Sequence, residues 1–184
     1  MSILKVARIG NPILREPAHP LERDEIVSAP VQKLIDDMIE TMREYNGVGL
    51  AAPQVHEGLR IFVAAISPDE EEPLPDSAEP MVFINPVITP LGSERVEDWE
   101  GCLSVPDMHG RVLRAEEIDV TCRDRRGGRL VVRAHGHPAR VIQHETDHLD
   151  GFLFVDRMNG LQSLTYSSEY AKYWVKNKDR DRDD

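Results

Sequence analysis

Two histidines four residues apart, His144 and His148, enclose a glutamate in the segment QHETDHLDG (143–151). On a helix, positions i and i+4 share a face one turn apart, so both imidazoles can aim nitrogens at one point. A metal ion there would lie about 2 Å from each ring nitrogen. Glu145 sits about 100° round the helix from His144, where its carboxylate reaches a metal-activated water rather than the ion. Two ligands and one general base form the HExxH arrangement of metal-assisted hydrolysis. The bland alternative is a solvated polar face. Val141, Ile142 and Leu149 flank the motif and argue for a partly buried helix. Buried His and Glu side chains need partners, and a shared metal is the simplest one.

Two imidazoles are too few to hold an ion. One candidate for the third donor is Glu169, 24 residues beyond Glu145, in the manner of metallopeptidases that take a carboxylate from a later helix. The other is Cys102, in EGCLS (100–104), a Gly- and Pro-rich neighbourhood unlike that of a plain core cysteine. Spacing does not choose between them. A further segment, GVGLAAPQ (47–54), has two glycines and two alanines that permit close backbone approach, and Gln54 supplies an amide donor. Its bland reading is a tight turn after a helix.

These segments need elements to position them. Residues 30–46 predict an amphipathic helix, with Val31, Leu34, Ile35, Met38, Ile39 and Met42 on one stripe. Ser28 serves as its cap, Pro30 opens its first turn, and Gly47 is expected to end it in a left-handed conformation. Residues 59–66 read as a buried strand and 81–89 as a strand pair or a bent strand broken at Pro86. Ile118, Val120 and Cys122 alternate with polar neighbours, so 118–122 predicts a half-buried strand with Cys122 facing the core. Residues 124–128 form a turn and 129–135 return as the hairpin partner. Pro138 opens the helix bearing the motif, and a short helix follows around 167–175. The acidic, Pro-rich stretch 67–80 is expected to be a mobile surface loop, and the charged end 176–184 a frayed tail. The expectation is one α+β domain over 1–184.

Composition narrows the function. A net charge of −11 disfavours nucleic acid, whose phosphates demand clustered Lys and Arg. No run of about 18 apolar residues is present to cross a membrane. The N-terminus lacks an apolar signal core, which leads to the expectation of a cytoplasmic protein.

Taken together, GVGLAAPQ, EGCLS and QHETDHLDG resemble the peptide deformylases, which remove the N-formyl group from newly made proteins. The family carries these three motifs in this order, and this chain matches them at every fixed position. The similarity runs from about IGNPILR (9–15) to VDRM (155–158). PARVIQHE and YAKYW are closest to the subtype of mitochondria and some bacteria, and the short N-terminus favours the bacterial cytoplasm. The resemblance implies antiparallel sheets around a central HExxH helix. It selects Cys102, with His144 and His148, as the ligands of one divalent ion, usually Fe²⁺, with Zn²⁺, Ni²⁺ or Co²⁺ able to take its place. It implies that Glu145 is the general base, and that Gln54 and the Leu103 N–H hold the oxyanion. The substrate would lie extended along Val48, Gly49 and Gly101, with its methionine near Val48, Val141 and His144. Glu100 would orient groups at the pocket mouth. Many relatives have Arg where this chain has His109, so His109, or Arg111 swinging in, is expected to meet the substrate there. His109 would make substrate affinity depend on pH. Asp147 belongs to the motif, with a supporting hydrogen bond as its expected part. The implied partners are formyl-methionyl nascent chains near the ribosomal exit tunnel, although the basic residues of KYWVKNKDRDR are countered by its own aspartates. The rival readings are a metallopeptidase using Glu169, a purely structural metal site, and an inactive binding relative. The last should have lost Glu145 or Gln54.

Overall fold

A computed structural model describes residues 2–67 and 79–175. The expected acidic loop, apart from its ends, and the expected frayed tail lie outside the described residues. A 3-10 turn (Pro12–Arg15) and a single helical turn, α1 (Arg23–Ile26), lead into α2 (Ala29–Glu44). Pro30 stands in the first turn of α2, where a missing N–H leaves no bond unmade. Val31, Ile35, Met38, Ile39 and Met42 are buried along the predicted stripe. The helix ends two residues earlier than expected, at Glu44. Asn46, with φ 53°, is the left-handed residue, and Gly47 is not. The Asn46 N–H donates to Arg43 O at 3.0 Å and the Gly47 N–H to Met42 O at 2.8 Å. These are the two bonds of a Schellman cap, which Asn supports nearly as well as Gly.

Among the described residues, six strands pair antiparallel in one sheet: β1 (Gly49–Ala51), β2 (Ile61–Ala64), β3 (Met81–Cys102), β4 (Val105–Arg123), β5 (Arg129–His135) and β6 (Thr165–Tyr166). The first five follow chain order across the sheet, and β6 joins β4. Pro86 bends β3 without ending it. The register slips between Ile84 and Val87, Asn85 takes φ 52°, and the strand runs on to Cys102. The Asn85 side chain secures the bend by accepting from Leu21 N–H at 3.0 Å and donating to Leu21 O at 2.7 Å. The long β3–β4 hairpin is thus the dominant β element, and its tip carries Cys102, Leu103 and Ser104.

Helix α3 (Gly136–Leu149) lies against this sheet and bears the HExxH motif. Ala139, Ile142 and Leu149 are fully buried with Phe62, Phe83, Ile118 and Val120. Burying Ile142 and Leu149 contributes about 1.5–3 kcal/mol each. Phe62 and Phe83 stack beneath them, 4.5 Å between centroids. Gln143 clamps the helix to β4, accepting from Ala115 N–H at 3.0 Å and donating to Ala115 O at 2.9 Å. The motif's closing glycine has a steric cause: Gly151 has φ 80°, and a Cβ there would lie 2.7 Å from Arg15 O. Phe152 N–H to Asp147 O at 2.9 Å completes the cap. Cys122 is 3% exposed within the core, and burial pushes its thiol up to about 12, so it is inert.

The chain continues through α4 (Phe154–Arg157) and β6 to α5 (Ser167–Tyr173). The architecture is α+β. Among the described residues, no helix is long and apolar enough to cross a membrane.

Candidate active site

The hairpin tip brings Cys102 over the motif face of α3. One donor atom each from Cys102, His144 and His148 lies within 4.8 Å of the other two. Cys102 Sγ is 3.2 Å from His148 Nε2. No other such trio occurs among the described residues, and Glu169 stands exposed on α5 outside it. Burial alone would push the Cys102 thiol up. His148 and His144 beside it outweigh that and hold it well below the ordinary thiol value, and a thiolate is what a metal ion binds. One soft sulfur and two imidazoles, with no fourth donor among the described residues, fit a first-row divalent ion with a position left for a reactant.

Glu145 is buried, and its Oε2 has no hydrogen-bond partner. An unpaired buried carboxylate oxygen is costly and calls for a functional explanation. Burial raises its carboxyl to about 7, with His144 and His148 pulling it back. Gly49 makes room for it. A Cβ on Gly49 would lie 2.7 Å from Glu145 Cδ and 2.8 Å from Cγ. Gly49→Ala is therefore expected to displace the carboxylate and cut kcat by about 100-fold, the scale of a 1 Å misplacement. Steady-state kinetics checks this, with unchanged metal content per chain showing that the ligands stayed in place.

Gln54 sits in the 3-10 turn Ala52–Val55, which follows β1 directly. Its Oε1 accepts from Ala51 N–H at 2.8 Å, which orients the amide. The Nε2 then lies 3.2 Å from Ser104 Oγ and 3.5 Å from Cys102 Sγ. Leu103 occupies the hairpin turn between Cys102 and Ser104 and lines the same cavity.

Glu100 lines the cavity, where its expected part is to orient neighbouring groups. It is 6% exposed and packed beneath His144. Its Oε2 meets His144 Nδ1 at 2.9 Å and Arg114 at 3.0 Å, and its Oε1 accepts from Arg114 and Arg140, each at 2.9 Å. Burial would raise this carboxyl, but the hydrogen bonds from His144 and Arg114 hold it well below the usual range. A carboxylate accepting Nδ1–H leaves Nε2 of His144 free to bind a metal. Asp147 extends the network, accepting from Arg114 at 2.5 Å and Arg157 at 2.7 Å. Arg140 also donates to Val112 O at 2.8 Å and Val96 O at 2.7 Å, tying α3 to both hairpin strands. Neither Arg114 nor Arg140 was singled out in the sequence. Arg140 had a signal, since it precedes His144 by one helical turn.

A cavity of about 1140 Å³ opens over these groups, and Val48, Gly49, Gly101, His109 and Val141 all line it. Arg111 does not swing toward it, being paired with Glu97 at 3.1 Å. Burial lowers the His109 pKa, so any pH dependence it confers lies at lower pH than an ordinary histidine would give. Trp99 and Ser167 also line the cavity and were missed.

Antiparallel strands packed on a helix with two histidines and a buried glutamate, completed by a thiolate from a hairpin tip, define a mononuclear metal hydrolase. The family model described as polypeptide deformylase matches residues 3–163. This chain belongs to that family. It is 42% identical over 175 residues to peptide deformylase 2 of Nostoc sp., covering 95% of this chain and 97% of the relative. It is 46% identical over 155 residues to the peptide deformylase of Dictyoglomus turgidum, covering 84% and 92%. Among solved structures, a class I type b peptide deformylase from Acinetobacter baumannii superposes with a TM-score of 0.79 at 42% identity, over 86% of this chain and all of the other. The enzyme from Thermotoga maritima gives 0.75 at 37% identity, over 87% of this chain and all of the other.

Proposed function

We propose that this chain hydrolyses the formyl amide of N-formylmethionyl peptides, releasing formate and a free methionyl amine. The observation that carries the reading is the buried Glu145 oxygen without a partner, set beside three convergent metal donors and the Gln54 amide. Family membership supports it. Cys102, His144 and His148 would hold a divalent ion, and the resemblance favours Fe²⁺, with Zn²⁺, Ni²⁺ or Co²⁺ as substitutes. When bound, that ion supplies a Lewis acid that acidifies water and polarises the formyl oxygen.

The chain's own residues do the rest. Glu145 takes the proton from water as its oxygen attacks the formyl carbon. The Gln54 amide and the Leu103 N–H donate to the oxygen on which negative charge develops. Glu145 then delivers its proton to the leaving nitrogen, acting as base and acid in turn. The peptide lies extended as an added strand against the backbone of Val48, Gly49 and Gly101. Its methionine side chain enters the apolar part of the cavity beside Val48, Val141 and the His144 ring. Its natural source is the nascent chain, formylated at its first residue and met as it leaves the ribosome.

The test is formate release from formyl-Met-Ala-Ser by protein purified without oxygen, with bound metal measured in wild type, Cys102→Ser and Glu169→Gln. Formate from wild type, with metal lost only in Cys102→Ser, is the expected result. Cleavage of internal peptide bonds, with metal lost in Glu169→Gln, would overturn it in favour of a metallopeptidase.

A further inference from the structure

The C-terminal segment folds against the rim of the cavity. β6 pairs with β4 through Met108–Tyr166 and His109–Thr165. Tyr170, on α5, lies flat on the His109 ring, with centroids 4.5 Å apart and planes within 12°. Tyr170 and Trp174 also close on Trp99, at 5.0 and 5.3 Å. Ser167 Oγ is 3.1 Å from His109 Nδ1. The ring is thus held on one face and at one nitrogen.

Its other nitrogen lies over the strand that leads to Cys102. Gly101 is the register partner of His109. A Cβ on Gly101 would lie 3.0 Å from His109 Nε2 and 3.2 Å from Cδ2. The absent side chain leaves this space to the imidazole, beside a backbone that the substrate is read to follow. A serine hydroxyl has a proton to give. When it donates to Nδ1, a neutral imidazole must carry its own hydrogen on Nε2. Burial of His109 favours that neutral ring.

We propose that Ser167 and Tyr170 fix His109 as an Nε2–H donor to a backbone carbonyl of the substrate beyond its methionine, making β6 and α5 part of the peptide-binding site. Ser167 and Tyr170 are positioning residues, and His109 makes the contact. The inference rests on the deformylase reading and extends it from the formyl group to the downstream peptide. It also gives a physical reason for a histidine at this position. A flat ring can be stacked and tautomer-locked, so its hydrogen bond costs little side-chain entropy.

The experiment compares formyl-methionine amide, which ends at methionine, with formyl-Met-Ala-Ser, in wild type, Ser167→Ala, His109→Asn and His109→Gln. Glutamine places an amide N–H near the Nε2 position, whereas asparagine reaches only as far as Nδ1. Ser167→Ala and His109→Asn are expected to cost kcat/KM roughly three- to tenfold more on the tripeptide than on the amide, the factor one neutral hydrogen bond supplies. That loss appears in KM, with kcat held. His109→Gln should stay within about twofold of wild type, having kept the donor. The double variant Ser167→Ala/His109→Asn should be no worse than either alone, because both remove one interaction. Equal losses on the two substrates, or no loss on either, would overturn the inference, as would His109→Gln failing like His109→Asn. No formate from either substrate with wild type overturns the deformylase reading, and this inference with it.

Discussion

Glu145→Gln is expected to retain its metal and release formate about 1,000-fold more slowly than wild type, within the range that a positioned general base supplies. The substitution changes charge and proton affinity while barely changing shape. The side chain keeps its place against Gly49, where the structure leaves room for it and nothing larger. The replaced atom is tolerated because Glu145 Oε2 has no partner to lose. What disappears is the ability to accept a proton from water and hand it to the leaving amine. Metal content should hold because Glu145 is outside the donor trio of Cys102, His144 and His148. Formate assays and metal analysis on the same preparation check both halves. Turnover within tenfold of wild type would mean that another group moves the proton. Loss of the ion would mean that the glutamate is itself a ligand.

The second large effect belongs to a residue that need not touch substrate. Glu100→Ala removes the common acceptor of Arg114, Arg140 and His144. Arg114 keeps the buried carboxylate of Asp147, but Arg140 keeps only two backbone carbonyls and loses its buried countercharge. Breaking one partner out of a buried ion network costs about 3–5 kcal/mol. For a chain of this size that lowers Tm by roughly 6–20 °C, measurable by thermal denaturation. Glu100→Gln is milder for the fold, because it retains an acceptor oxygen and much of the volume. Its expected signature is metal affinity weakened about 10- to 100-fold, the usual cost of losing a carboxylate behind a ligating histidine. A Glu100→Ala protein with wild-type Tm would show that the network contributes no net stability.

Sequence and structure agree where the determinants are local. The α2 stripe, the turn at 124–128 and the pairing of His144 with His148 rest on spacings of a few residues, which periodicity captures. The third metal donor was open between Cys102 and Glu169 for a physical reason. Cys102 is 46 residues from His148 in sequence and reaches it only because the hairpin folds back along its length. That hairpin was itself largely hidden. Much of β3 from Val87 to Asp98 is exposed on both faces, so it shows no alternation, and Pro86 reads as a break when it is a bend. Arg114 and Arg140 were silent because their acceptor is supplied from another element, 14 and 40 residues away. Asn46 took the cap from Gly47 because both can adopt left-handed φ, and a sequence does not say which one will. The contact of Ser167 and Tyr170 with His109 depended on β6 joining β4, and a two-residue strand leaves almost no pattern to read.

The irregular end of the long hairpin has one more consequence. Gly101 pairs with His109, but its neighbour Cys102 pairs with Val105, so the ladder slips just before the turn. A strand that zips one residue out of step turns every side chain to the opposite face. Such a misthreaded chain would carry its thiol away from α3 and could not assemble the donor trio. An ion held by all three donors would stabilise the correctly threaded hairpin by mass action and would give nothing to the misthreaded one. An ion held by those three donors would thus favour the correct alignment of the two longest strands among the described residues.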